Sequence, residues 1–265
     1  LSGGLDSRII VAMLKRLGAE DVICFTYGKK GNREAEISRQ VAEALGYRWY
    51  FVEYTKEKLY DGYHSRAISV YKIYSSNLTS LPHTQDFLAV KELKEEGKIP
   101  ENAVFVPGHQ GLVAGSLMHR GILAGSPVYG NYDLPDRYTR KRLQEDLVKN
   151  YYNLWSWDNI AEITAIFNEK IQVSINEVTV DNVEEYANAL EFFEFNERKS
   201  KYIINSVRAY EFFEYGWRLP LIDADLVNFF LHIPLSLRIR NGLYKSYAGK
   251  RLFTQQMRPL SEIEC

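Results

Sequence analysis

Six residues, Ser2-Gly3-Gly4-Leu5-Asp6-Ser7, constrain this chain more than any other stretch. Two adjacent glycines let the backbone approach an anion with no Cβ atom in the way. Ser2 and Ser7 add hydroxyl donors. The residues after the loop have helical periodicity: Ile9, Ile10, Met13, Leu14 and Leu17 share one face of a helix expected over Arg8–Leu17, with Gly18 as its stop. From about Ser7 onward, the free N–H groups and positive dipole end of that helix point back at the loop. Such an arrangement holds phosphate. Asp6 would repel a bare phosphate, so a divalent cation between the two is expected, with Asp6 as its candidate ligand. The GxxxxGK[ST] loop of the common nucleotide hydrolases is a different device: its lysine is missing here, and the pocket suits pyrophosphate. The plainer reading is a glycine-rich turn with Asp6 or Ser7 as a simple N-cap.

Beyond the loop the chain alternates strand and helix. Strands are expected over 22–27, 47–54 and 103–106, and helices over 32–45, 56–71 and 83–96. Strands separated by helices imply parallel pairing, hence an α/β fold with a doubly wound parallel sheet. Residues 108–136 are rich in Gly, Pro and Asn and read as a long functional loop. After that the strand signal disappears, and helices are expected over 137–150, 158–173, 183–214 and 224–232. The organisation is therefore one domain over 1–265: an α/β nucleotide-binding part (1–136) and then a mainly helical C-terminal layer (137–265).

Charge and cysteine content narrow the function classes. With 33 Lys+Arg against 34 Asp+Glu the formal charge is -1, which argues against nucleic acid as a partner. No run of about 18 apolar residues is present, so no membrane span is expected. Cys24 and Cys265 make no disulfide framework, which suits a reducing, cytoplasmic setting. The chain opens at Leu1, inside the loop, whereas a parallel sheet of this type needs a strand leading into Ser2; that strand, with a preceding domain, is expected upstream.

Taken together, the loop resembles the SGGxDS signature of the ATP pyrophosphatase superfamily, and Leu1 to Ser7 resembles the synthetase domain of the asparagine synthetase family. Other landmarks fit in order. Phe25-Thr26-Tyr27-Gly28 is similar to the strand and turn that receive adenine. Ser80-Leu81-Pro82 resembles a Ser-Thr-Pro segment lining the synthetase site. Val106-Pro107-Gly108-His109-Gln110-Gly111 stands where the family has a second glycine loop. Arg218-Leu219-Pro220-Leu221-Ile222-Asp223 resembles an Arg-x-Pro-Phe-Leu-Asp motif, and Lys245 lies where the family has a phosphate-contacting lysine. The resemblance implies an adenine nucleotide α-hydrolase-like (HUP-type) fold, with ATP and Mg²⁺ as cofactors. It implies a small-molecule carboxylate and ammonia or an amine as substrates, and a glutaminase domain or subunit upstream as a partner. The carboxylate would be adenylated with release of pyrophosphate, and the amine would displace AMP to give an amide. Leu1, Ser2, Gly3, Gly4, Asp6, Ser7, Thr26, Tyr27, Gly28, Pro107 and Gly108 would then bind the nucleotide. Ser80, Pro82, Arg218 and Asp223 would bind the acyl substrate, and Asp6, Lys245 and His109 would take part in the chemistry.

The second loop departs from the family pattern Gly-Glu-Gly-x-Asp-Glu: His109 stands at the first Glu and Leu112 at the Asp. His109 is then either a replacement base, since imidazole titrates near neutral pH, or a loop residue that positions backbone. Gly-His-x-Gly loops of this kind resemble those of asparagine synthetase-related proteins associated with surface polysaccharides, so free aspartate is not the expected substrate. Alternatives remain open for single residues: Asp223 as a helix cap, Lys245 as a solvated lysine, Arg218 as the partner of a structural carboxylate, His83 as a helix-capping or surface residue. At the level of function the alternatives are a catalytically degenerate nucleotide-binding relative, an SGGxDS ligase acting on RNA, and a ligase of the NAD- or GMP-forming kind.

Overall fold

A computed structural model describes residues 1–76, 78, 80–109, 138–152, 156, 158–238 and 241–253. The described residues fall into two compact units, one drawn from Leu1–Gly111, Ser200–Val227 and Tyr244–Cys265, the other from Leu112–Lys199 and Asn228–Leu243. Among them, no helix is long and apolar enough to cross a membrane.

In the first unit, α1 (Leu5–Arg16) comes directly after the glycine loop. It begins at Leu5 rather than Arg8, because Gly4 adopts the extended backbone of an N-cap. Asp6 therefore sits in the first turn, where a carboxylate complements the helix dipole. Strands β1 (Ile23–Gly28) and β2 (Arg48–Glu53) pair in parallel, from Ile23 opposite Arg48 to Gly28 opposite Glu53. Between them runs α2 (Arg33–Leu45), capped by the Asn32 side chain, which accepts from the Ala35 N–H. It is closed by Gly46 at φ 71°, the left-handed residue that ends many helices.

The expected helix over 56–71 is two helices, α3 (Lys56–His64) and α4 (Arg66–Ser76). Ser65 separates them with ψ 153°. Its hydroxyl donates to the Gly62 carbonyl at 2.7 Å and accepts from the Ile68 N–H at 3.3 Å, the local bonding by which serine competes with a continuing helix. α5 (Phe87–Glu95) begins later than the expected His83, after a non-helical stretch that contains Pro82.

Strand β3 (Val104–Phe105) pairs in parallel with β4 (Gly216–Trp217), a strand that the sequence pattern does not reveal. β4 is two residues long, too short to carry an alternating pattern. The pairing is parallel, as the alternation implies, but the described residues form two separate two-stranded sheets; a single doubly wound sheet goes beyond them. The core between these elements includes Val52, Val90, Leu93, Phe105, Val207 and Tyr210, with Phe105 stacked on Tyr210 at 4.3 Å. Cys24 is a buried free thiol within β1.

The second unit is helical, with Arg140–Tyr151, Ile160–Ser174 and Val183–Phe193 closing on Leu143, Leu147, Ile171, Ile175, Tyr186 and Leu190. The helix expected over 183–214 is a continuous helical run whose hydrogen-bond spacing changes. It is α to Phe193, π over Glu194–Ile203, 3-10 over Ile204–Val207 and α again over Arg208–Phe212. The segment expected as a functional loop over 108–136 lies almost wholly outside the described residues, as do Gln110 and Leu112.

Candidate functional site

The glycine loop is tied by its own two serines. Ser2 Oγ and Ser7 Oγ lie 3.1 Å apart. The Ser2 N–H donates to Ser7 Oγ at 3.1 Å, and the Gly4 N–H donates to Ser2 Oγ at 3.2 Å. The loop is thus fastened by its own hydroxyls, at a helix start whose capping residue has no side chain to offer. Gly3 is buried against α2: a Cβ there would stand 3.3 Å from Ile37 Cδ1. Gly108 brings the second loop onto the first: a Cβ on it would stand 3.1 Å from the Ser7 backbone nitrogen. Two glycine-bearing segments therefore meet at the N-terminus of α1, a geometry suited to an extended phosphate chain.

Asp6 is joined to a residue 238 positions away: the Tyr244 hydroxyl donates to Asp6 Oδ1 at 2.9 Å. Burial, and then the charge of Asp6, hold the Tyr244 phenol far above its ordinary range, so it stays a donor. Tyr244 is buried on the helix Gly242–Tyr247, and its neighbour Lys245 is exposed on the same helix. Among the described residues, no group of three or more His, Cys, Asp and Glu side chains converges to hold a metal ion. A carboxylate beside a phosphate cradle suits a Mg²⁺ that arrives on the nucleotide, since such ions take one or two carboxylates and complete their shell with phosphates and water.

In the second loop, His109 Nε2 lies 2.5 Å from Ser206 Oγ. Ser206 is fully buried on the 3-10 turn Ile204–Val207. The preceding residue of the turn, Asn205, donates through Nδ2 to the Ser75 carbonyl at 2.8 Å and to Ser80 Oγ at 3.2 Å. One turn therefore carries both His109 and Ser80.

The end of β1 is also anchored. The Leu1 backbone nitrogen donates to the Phe25 carbonyl at 2.7 Å, and Thr26 Oγ1 donates to the Leu1 carbonyl while hydrogen-bonded to Ser38 Oγ. Asp86 accepts from the Tyr27 hydroxyl and, at 2.5 Å, from the Tyr210 hydroxyl. Burial and the Asp86 charge push both phenols well above their ordinary range. Asp86 precedes α5 in the capping position yet makes no side-chain cap bond. Gly28, with φ 139°, turns the chain out of β1 in a conformation that favours glycine.

The other candidates lie apart from these bonds. Arg218 is exposed, its Nη1 donating to the Trp217 carbonyl at 2.8 Å. Asp223 is exposed and accepts from the Asp225 N–H at 3.0 Å, a capping bond at the start of the helix Ala224–Leu231. Pro82 is half-buried beside His83, whose carbonyl accepts from the Tyr71 hydroxyl at 2.6 Å.

Sequence reasoning misses Tyr244, Ser206, Asn205 and Asp86. Each acts through a long-range bond that leaves no local pattern; only Asp86, a lone carboxylate ahead of the apolar run Phe87-Leu88-Ala89-Val90, offers a visible signal.

With this geometry in place, comparison with known families is informative. The sequence profile described as asparagine synthase matches residues 1–259, and the chain belongs to that family. It is a family of ATP-dependent amide ligases that act on small molecules together with ammonia or an amine. A comparison with curated proteins found no match.

Proposed function

We propose that the chain catalyses ATP-dependent amide formation on a small-molecule carboxylic acid, using a doubly wound fold of the adenine nucleotide α-hydrolase kind. The carboxylate attacks the α-phosphorus of ATP and pyrophosphate leaves. Ammonia or an amine, delivered by a glutaminase domain or subunit, then displaces AMP from the acyl-adenylate.

Ser2, Gly3, Gly4 and Ser7 with the start of α1 receive the pyrophosphate, and Pro107 and Gly108 close over it. Leu1, Thr26, Tyr27 and Gly28 receive the nucleoside. Donors fixed in advance favour the charge that grows on the leaving group. Asp6 holds the Mg²⁺ that comes with ATP, and that ion offsets phosphate charge when bound. Lys245 offsets charge at the α-phosphate. Ser80, Pro82, Arg218 and Asp223 line the side from which the acid enters, and His109 takes the proton of the amine. The observation that carries this reading is the serine-tied loop at the α1 N-terminus, with Gly108 packed on Ser7 and Asp6 bonded to the neighbour of Lys245.

The test is calorimetric titration with an ATP analogue that cannot be cleaved between the α- and β-phosphates, and then pyrophosphate release from ATP, Mg²⁺, ammonia and a panel of carboxylic acids. Absence of nucleotide binding at millimolar concentration would overturn the reading. A second reading, a nucleotide-binding relative without turnover, is favoured by Leu112, which stands where the family pattern of the second loop has an Asp. Binding without pyrophosphate release from any acid would select it.

A further inference from the structure

A line of hydrogen bonds runs from the indole of Trp49, on β2, to the peptide that opens the glycine loop. Trp49 Nε1 lies 2.8 Å from Ser38 Oγ on α2. Ser38 Oγ is bonded to Thr26 Oγ1 on β1, and Thr26 Oγ1 to the Leu1 carbonyl. Both hydroxyls are buried, Ser38 completely. Among the described residues, neither has a further hydrogen-bond partner.

The end groups fix the direction of the whole line. An indole N–H can only donate, so Ser38 accepts from Trp49. A carbonyl oxygen can only accept, so Thr26 gives its single proton to Leu1. The proton between the two hydroxyls is then the one on Ser38. The line does not stop at the carbonyl. At the other end of the same planar peptide, the Ser2 N–H donates to Ser7 Oγ at 3.1 Å. Ser7 Oγ lies 3.1 Å from Ser2 Oγ, which accepts from the Gly4 N–H. A peptide bonded at both ends cannot rotate without breaking a bond, and hydrogen bonds that run in one direction strengthen one another in a low-dielectric interior.

We infer that Ser38 and Trp49 are positioning residues of the phosphate loop: through Thr26 they fix the plane of the Leu1–Ser2 peptide and, with it, the two serine hydroxyls that meet the phosphates. This rests on the reading of that loop as the pyrophosphate cradle. Neither side chain belongs to the loop; each acts on it through Thr26. Donors ordered beforehand lose less freedom when the anion binds, so the line contributes to affinity without a contact of its own.

The experiment is calorimetric titration of the whole chain with inorganic pyrophosphate and Mg²⁺, with urea midpoints measured in parallel. Ser38→Ala removes the middle link, and Trp49→Phe removes the first donor while keeping an aromatic ring. Pyrophosphate affinity should fall about three- to tenfold in Ser38→Ala, the factor that one net hydrogen bond supplies. It should fall by less in Trp49→Phe, where Ser38 can still donate to Thr26. The spectroscopic signature is the Trp49 indole N–H signal in ¹H–¹⁵N NMR, one of four from the tryptophans, assigned by its loss in Trp49→Phe. Pyrophosphate should shift it in the wild type; in Ser38→Ala it should move and no longer respond. Unchanged affinity in both variants, or a wild-type indole signal indifferent to pyrophosphate, would overturn the inference whatever the urea midpoints show. If Ser38→Ala fails to fold, Trp49→Phe and the wild-type signal decide. Failure of pyrophosphate to bind the wild type would also overturn it; the ligase reading falls too only if the uncleavable ATP analogue does not bind either.

Discussion

The two units place polar groups inside the protein for different ends. In the first, hydroxyls and carboxylates hold the two glycine loops, Ser2 to Ser7 and Ser206 to His109, and tie β1 to its neighbours, Thr26 to Ser38 and Asp86 to Tyr27 and Tyr210. In the second, they fasten helices to one another: Tyr186 donates to Asp146 at 2.6 Å, and Arg238 is bonded to Glu191 and to Asn188. A helix can be placed by apolar packing along a whole face, and its polar bonds add specificity to that packing. A loop has no such face, so its conformation depends on individual hydrogen bonds. The contrast predicts that substitutions in the first unit act on ligand handling and those in the second on stability.

The largest expected effect tests the first half of that statement. Asp6→Ala should lower pyrophosphate release by at least ~10²-fold, because it removes the carboxylate in the first turn of α1, beside the cradle. Its urea midpoint should fall modestly, because the buried Tyr244 hydroxyl loses its acceptor, and by less than the loss in activity implies. Next, Leu147→Ala in the second unit should cost about 2–5 kcal/mol, since Leu147 is wholly buried in the helical core. The check is urea denaturation alongside titration with the uncleavable ATP analogue well below the transition. Parallel loss of affinity and stability in this variant would break the comparison.

Legibility in the sequence divides along the same line. The glycine loop, α1, α2 and β1 are legible because local rules determine them: paired glycines, helical periodicity, the Asn32 cap, the Gly46 stop. The apolar faces of the second unit are legible as helices for the same reason. The break at Ser65 is hidden because a serine within a helical pattern signals nothing until its hydroxyl is seen to bond backward to Gly62. β4 is hidden because two residues cannot show a period. The changes to π and 3-10 spacing after Phe193 leave the apolar pattern nearly intact while rotating each later side chain, so Ser206 cannot be aimed at His109 from sequence alone. Tyr244 and Asp6 lie at opposite ends of the chain, and no local argument joins them.

Two substitutions of intermediate effect sharpen the account of the cradle. Gly108→Ala puts a methyl 3.1 Å from the backbone nitrogen of Ser7, which cannot swing aside as a long side chain would. The second loop should lift from the first, with nucleotide affinity falling about tenfold, about 1.4 kcal/mol, and stability nearly unchanged. Tyr244→Phe removes one hydrogen bond to a carboxylate while keeping the buried ring. A loss of about 1.5 kcal/mol is at the low end for such a bond, and it should be divided between stability and nucleotide affinity. If affinity for the ATP analogue does not change at all, Tyr244 is only a structural brace and the link between Asp6 and the Lys245 helix has no part in binding.

The smallest effect is a pH dependence, and it tests whether a polar group of the first unit that holds no loop behaves differently from those that do. His83 Nδ1 is buried without a hydrogen-bond partner among the described residues, and its ring lies 5.4 Å from that of Tyr202. Burial lowers the affinity of His83 for a proton below the ordinary 6.5, and the charge of Asp86 offsets that only in part. In the folded protein the ring therefore stays neutral to a lower pH than in the unfolded chain. Below about pH 6.5 the unfolded chain binds the proton first, so stability falls as pH drops from there toward the folded value. Above pH 6.5 the group should make no difference. Urea midpoints measured from about pH 7.5 down to about pH 5 should decline in the wild type, and less steeply in His83→Gln, which cannot titrate. Equal slopes for the two proteins would mean that His83 gains a compensating partner when it is charged, and that its burial is not a cost the first unit bears.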